Sequence, residues 1–332
     1  MITALLFALS LVLIVAGSEL FTNAVEWAGF RLRLGSGATG SLLAALGTAL
    51  PETAVPVVAL ISRQPTSNDV AVGAVVGAPF LLLTLGMAVT GLAAMLRRSD
   101  PVLHVEAPQV RRDLGSFAGA FWLLLLGVVV PHWARAVCAV LLLLLYARYV
   151  RSTLRSGTPT EEMPEPLHML RWNDDRRGRP QSWVISVQLA LAVAMLVGGA
   201  EMFVRALELL AHAVKISPLL LSLVLVPLAT EMPETLNSVL WVRARSDGLA
   251  FGNVAGAVTF QACLLGALGL AFTTWEPGRL GVINLGLTLA TGLYTLALVH
   301  DGHTRGSRLL LNAAPWVVYV VLVLVAGTRL QS

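Results

Sequence analysis

Apolar residues in this chain run on for twenty or so positions at a time, without the short alternation of a half-buried strand or the striped period of a surface helix. A bilayer-spanning helix needs roughly 20 apolar residues. Ten segments near that length can be drawn, at 2–28, 38–62, 70–95, 115–130, 134–150, 183–211, 217–242, 248–273, 279–299 and 309–327. The pattern predicts an all-α polytopic membrane protein with ten transmembrane helices. The fourth and fifth segments, either side of Pro131, are the shortest.

One long polar stretch interrupts the series. Arg151–Ser182 is rich in Pro, Glu and Arg, and about 30 residues is too few for another folded domain. It reads as a flexible loop between two halves, 1–150 and 183–332. The first segment lacks the basic start of a signal peptide, and its continuation Gly17–Glu26 is matched by Gly199–Glu208. It is therefore expected to be a retained helix.

The basic residues fix an expected orientation. Loops after the first, third, fifth, seventh and ninth segments hold 2, 4, 7, 2 and 2 Lys/Arg, counting Arg148 at the end of the fifth segment. The opposite loops and the carboxyl end hold five, Arg63, Arg135, Lys215, Arg279 and Arg329, while Arg205 lies within the sixth segment. Basic residues stay cytoplasmic, so both termini are expected outside and the 151–182 loop inside. Five segments per half make the second half enter from the opposite side, giving two inverted five-helix repeats. In such transporters the substrate site lies near the midplane, where broken helices of both repeats meet.

Carboxylates sit at that depth. Gly47-Thr48-Ala49-Leu50-Pro51-Glu52-Thr53 and Ala229-Thr230-Glu231-Met232-Pro233-Glu234-Thr235 are 182 residues apart and share Thr, Pro, Glu and Thr at matched positions. An ionisable residue inside the membrane costs about 2.5–3.5 kcal/mol or more, which makes a functional site the first reading. Thr48 and Glu52, four apart, face one side of a helix, as do Thr230 and Glu234. Pro51 and Pro233 have no N–H to give the carbonyls of Gly47 and Ala229. Each segment thus offers a hydroxyl, a carboxylate and a freed carbonyl, all hard oxygen ligands. Ca²⁺ takes about six to eight oxygens.

Glu231 adds a carboxylate with no counterpart in the first repeat, where Ala49 stands. It either faces a water-filled passage or pairs with Arg205. Asn253 and Gln261 can reach the same cavity. Gly73–Gly77 and Gly252–Gly256 form small-residue faces for close helix packing. Glu19, Glu26, Glu201 and Glu208 either line an aqueous entrance or mark interfacial faces.

Composition agrees. The 332 residues are 56% hydrophobic and 13% charged. The net charge of +4 comes from arginines in short loops and reports topology, not nucleic-acid binding. Two cysteines in apolar runs suggest neither a disulfide nor a zinc site, and the six histidines show no metal-ligand spacing. No nucleophile–base pair or metal motif suggests an enzyme. The expected partners are small inorganic cations and membrane lipid, with the ions as substrates and no cofactor.

These motifs resemble those of the Ca²⁺:cation antiporter superfamily, the sodium/calcium exchangers. Its repeats carry a G-T-S-L-P-E helix followed by a helix bearing G-N-x-x-G-S-N-x-x-[ND]. Gly47–Glu52 matches the first motif at five of six positions, and Ala229–Glu234 keeps Thr230, Pro233 and Glu234. Gly73, Gly77, Gly252, Asn253 and Gly256 keep the frame of the second. The resemblance covers both halves and implies Ca²⁺ exchange for Na⁺ by alternating access in a bacterial plasma membrane. It implies a core of the second, third, seventh and eighth segments, over which the first and sixth slide. The chain departs at Ala49, Ala78, Pro79, Leu82, Ala257 and Val258, where the family places serines and amides that serve sodium sites. Loss of those oxygens and gain of Glu231 leave H⁺ as the alternative counter-ion, for Ca²⁺ or for Na⁺. A scaffold or sensor that keeps the fold without transport is the rival from another class.

Overall fold

The computed structural model describes residues 2–31, 50–62, 66–97, 101–156, 165–170 and 180–329. Among the described residues eight helices are long and apolar enough to cross a membrane, and two shorter apolar helices accompany them. In chain order the helices are α1 (Ile2–Arg31), α2 (Leu50–Ser62), α3 (Ser67–Met95), α4 (Ala107–Val129), α5 (His132–Ser156) and α6 (Ser182–Val214). Then follow α7 (Pro218–Thr230), α8 (Met232–Arg243), α9 (Asp247–Phe272), α10 (Gly278–Leu298) and α11, which starts at Gly306 and ends at Arg329.

The fourth and fifth segments are longer than their apolar runs. α4 starts at Ala107 because its first turns tolerate charge: Asp113, 1% exposed, accepts from Arg112 Nε at 3.0 Å. The break between α4 and α5 falls where Pro131 forces extended backbone on the preceding residue, Val130 (φ −83, ψ 154). The seventh apolar segment is two helices. They meet at Glu231, whose φ of −92 and ψ of −1 lie in the sparsely allowed bridge region.

α3 and α9 are the most buried spans, 94% and 72% buried. Each contains one π turn, Leu82–Gly86 in α3 and Gln261–Leu265 in α9. Such turns insert one residue into an α-helix and occur often at functional sites. α3 crosses α7 at Gly73 and Gly77. A Cβ at Gly73 would lie 1.8 Å from Ser222 Oγ, and one at Gly77 would lie 2.4 Å from the Leu223 carbonyl oxygen. The predicted small-residue face is therefore a backbone-to-backbone crossing. Its counterpart is looser: Gly252 meets the Gln109 side chain, and Gly256 has only Tyr149 nearby.

α1 lies along α6, and Gly17 and Gly199 each face the other helix, against Leu196 and Ile14. Into this pair docks a piece of the linker. Leu167 is 2% exposed beside Trp27 and Ile185. Asn23 Nδ2 and Trp27 Nε1 donate to the Glu165 carbonyl, and the His168 and Met169 amides donate to Asn23 and Gln188. Within the linker, 165–170 thus buries an apolar residue and bonds three of its backbone groups to α1 and α6. Residues 157–164 and 171–179 lie outside the described part.

Two strands depart from the all-α expectation. β1 (Val102–His104) pairs antiparallel with β2 (His303–Arg305), with Leu103 opposite Thr304. At the same end Arg97 makes a two-pronged contact with Asp247, at 2.8 and 3.2 Å, and also donates to the Val102 and Val242 carbonyls. The other end is tied by Asn68 and Thr274, which exchange two hydrogen bonds, by Thr66 donating to Glu208, and by Arg135 donating to the Thr274 carbonyl. The two cysteines, Cys138 and Cys263, are free and buried.

Candidate cation site

Three glutamates from opposite halves of the chain come together between these ends. Glu52 on α2, Glu231 at the α7–α8 junction and Glu234 in the first turn of α8 are all 2% exposed or less. The helix start suits a carboxylate at Glu234, because unpaired N–H groups and the helix dipole favour negative charge there. Glu231 and Glu234 both act electrostatically on Glu52, and no ion pair to any of the three exists among the described residues.

Gln261, the first residue of the π turn in α9 and fully buried, links two of them. Its Nε2 donates to Glu231 Oε2 at 2.9 Å and to Glu52 Oε1 at 3.4 Å. Thr230 Oγ1 donates to Glu231 Oε1 at 3.2 Å and also reaches the Val226 carbonyl at 3.2 Å. Among the described residues, four atoms of the cluster find no hydrogen-bond partner: Glu52 Oε2, both Glu234 oxygens and Gln261 Oε1. A buried unpartnered polar atom costs about 1–3 kcal/mol, more if charged. So dense a group of bare oxygens calls for a cation, a proton or water.

Of the residues expected at the site, Glu52, Glu231, Glu234, Thr230 and Gln261 come together. Glu231 does not face Arg205; it joins the cluster, held by Gln261 and Thr230. Asn253 is a brace: its Nδ2 donates to the Glu234 backbone carbonyl at 3.1 Å and to Ser238 Oγ at 3.3 Å, fixing the start of α8 against α9. Ser238, which sequence reasoning passed over, donates to the same carbonyl at 2.9 Å and to that of Ala250 at 3.3 Å. Its spacing of four from Glu234 was the available signal. The backbone of Ala229 closes the last turn of α7, and Pro233 in the first turn of α8 has no N–H to offer its carbonyl. Gly47 and Thr48 lie outside the described residues. Among those described, no three His, Cys, Asp or Glu side chains are grouped so as to hold a metal ion by themselves. The Gln261 amide stands between two of the carboxylates. Glu19 and Glu201 are exposed and Glu26 and Glu208 half-buried.

Comparison with known proteins agrees with this architecture. A family profile described as "Sodium/calcium exchanger protein" matches residues 2–154 and 184–326. The inner membrane protein YrbG of Escherichia coli is 28% identical over 249 residues, 71% of this chain and 70% of that one. The crystal structure of the H⁺/Ca²⁺ exchanger CAX superposes with a TM-score of 0.73 at 20% identity, covering 98% of this chain and 88% of its own. The sodium-calcium exchanger NCX_Mj superposes at 0.62, also at 20% identity, covering 97% and 98%. At that identity these superpositions speak for the fold. Membrane-spanning helices and a profile covering both halves carry the assignment: the chain belongs to the sodium/calcium exchanger protein family, antiporters of inorganic cations.

Proposed function

We propose that the protein is a secondary active antiporter that carries Ca²⁺ on Glu52 and Glu234 and returns protons on the same carboxylates together with Glu231. The observation that carries this reading is the cluster itself: three buried glutamates, drawn from both halves, with no basic side chain paired to them among the described residues. Moving bare buried carboxylates through a low-dielectric barrier is costly, several kcal/mol per ion. A Ca²⁺ ion with one proton neutralises three carboxylates, and so do three protons. Exchange of one Ca²⁺ for two protons therefore keeps the moving site neutral in both directions.

Sodium as counter-ion is the second reading, favoured by the description of the family. Against it stand Ala78, Pro79, Ala257 and Val258, apolar where the resembling motif carries hydroxyls and amides. Coordination by Gly47, Thr48, Thr230 and Ala229 belongs to the same proposal.

The reading includes ten membrane helices as two inverted repeats. Its support is internal. Leu82 and Gln261, the first residues of the two π turns, are 179 residues apart, as are Gly73 and Gly252. Gly17 and Gly199, facing each other's helices, are 182 apart, as are Glu52 and Glu234. Placement in a bacterial plasma membrane rests on the resemblance, and the outside termini rest on the arginine asymmetry. The test is ⁴⁵Ca²⁺ uptake by proteoliposomes under an imposed pH gradient and, separately, an imposed Na⁺ gradient. Uptake under the pH gradient alone supports the proposal; uptake under Na⁺ alone supports the second reading; none under either contradicts both.

A further inference from the structure

Gln261 is, among the described residues, the one neutral side chain that bonds two of the clustered carboxylates. Ionised carboxylate oxygens accept and do not donate, so the end of the amide turned toward Glu52 and Glu231 is assigned as NH₂ and not C=O. Gln261 Oε1 has no partner among the described residues, while its nitrogen is placed between two acids. A cation bound to Glu52 Oε1 or Glu231 Oε2 meets that partially positive NH₂ group. It must displace it.

We infer that Gln261 is a tethered competitor for the transported cation, one whose amide occupies carboxylate oxygens the ion needs and so weakens binding and speeds release. The inference rests on the proposed Ca²⁺ site. Buried carboxylates in a low-dielectric setting bind a divalent cation tightly, and a tightly held ion leaves slowly. A competitor built into the wall lowers affinity without adding charge. Its position in α9 suits that role, because the π turn that Gln261 opens interrupts the regular helix ladder and lets a side chain shift without disturbing the rest of the helix. The equivalent π turn of α3 opens with Leu82, which has no polar side-chain atom, so the device exists on one side of the site only.

The opposite role, a simple oxygen ligand, predicts the opposite sign. Gln261→Met keeps volume and removes both amide atoms; Gln261→Ala serves if the first variant does not fold. Purified wild type and variant are compared for equilibrium ⁴⁵Ca²⁺ binding and for uptake into proteoliposomes, at alkaline pH where protons compete least. The expected result is binding about tenfold tighter in the variant, as loss of one charge-assisted hydrogen bond to a Ca²⁺-binding carboxylate, that to Glu52, implies, with KM and maximal rate both lowered. Unchanged or weaker binding overturns the inference and makes Gln261 a spectator or a ligand. Wild type that binds no Ca²⁺ saturably overturns the Ca²⁺ reading beneath it, an outcome distinct from the others.

Discussion

Glu52 and Glu231, 179 residues apart in sequence, share one amide hydrogen-bond donor at the centre of the protein, at 3.4 and 2.9 Å from Gln261 Nε2. Glu52 belongs to a motif that both halves carry. Glu231 has no counterpart in the first half, where Ala49 stands.

Glu231→Gln removes the unmatched charge and keeps the shape. Ca²⁺ binding by Glu52 and Glu234 is expected to persist, and uptake driven by a pH gradient is expected to stay within a few-fold of wild type, because the charge balance leaves a proton on Glu231 in both directions. Thermal stability in detergent is expected not to fall, because replacing a buried charge by a neutral isostere is often neutral or stabilising. Parallel binding and uptake assays check this. Loss of Ca²⁺ binding would place Glu231 among the obligatory ligands instead.

Arg97 and Asp247 tie the end of α3 to the start of α9, and β1 leans on the same carboxylate through the His104 amide at 3.0 Å. Arg97→Leu leaves Asp247 charged and buried without its partner, a change expected to cost about 3–5 kcal/mol. Adding Asp247→Asn is expected to recover much of that loss. Thermal denaturation of both variants in detergent measures it; equal losses in the single and double variants would contradict the account.

Gly77→Ala drives a methyl group to 2.4 Å from the Leu223 carbonyl oxygen and is expected to cost roughly 1–3 kcal/mol as α3 and α7 are pushed apart. Gly198→Ala, with nothing within 4 Å of the new carbon, is the control and is expected to stabilise α6 by about 0.5–1 kcal/mol. Melting temperatures moving in opposite directions are the expected readout.

Leu167→Asp places a charge in the pocket beside Trp27 and Ile185 and is expected to release the 165–170 segment from α1 and α6. Trypsin, which cuts after the arginines of the linker, is expected to cleave this variant several-fold faster than wild type. Equal rates would mean that the docked segment opens freely already.

Much of this was legible in the chain. The apolar runs marked the helices, and the repeated Thr-x-x-Pro-Glu-Thr marked Glu52 and Glu234, because a carboxylate at membrane depth stands out against its surroundings. Other features depend on partners far away in sequence. Nothing near Arg97 announces Asp247, and nothing in Val102–His104 announces a strand partner some two hundred residues on. Glu231 was visible as a charge but ambiguous in direction, since its neighbours Thr230 and Glu234 fit either side of a broken helix. The π turns follow from packing between helices and leave no local trace. Asn253 was placed in reach of the cavity by its type; its bond to the Glu234 carbonyl depends on a helix junction that its own neighbours do not announce.

The central claim is that Glu52 and Glu234 together hold the transported ion, and ⁴⁵Ca²⁺ uptake into proteoliposomes under an imposed pH gradient tests it most directly. Loss of a group that merely supports a metal ligand costs about 10–100-fold in affinity, so Glu52→Gln and Glu234→Gln, each correctly folded, are expected to lower uptake by about 100-fold or more. Either variant transporting Ca²⁺ at the wild-type rate would contradict the account.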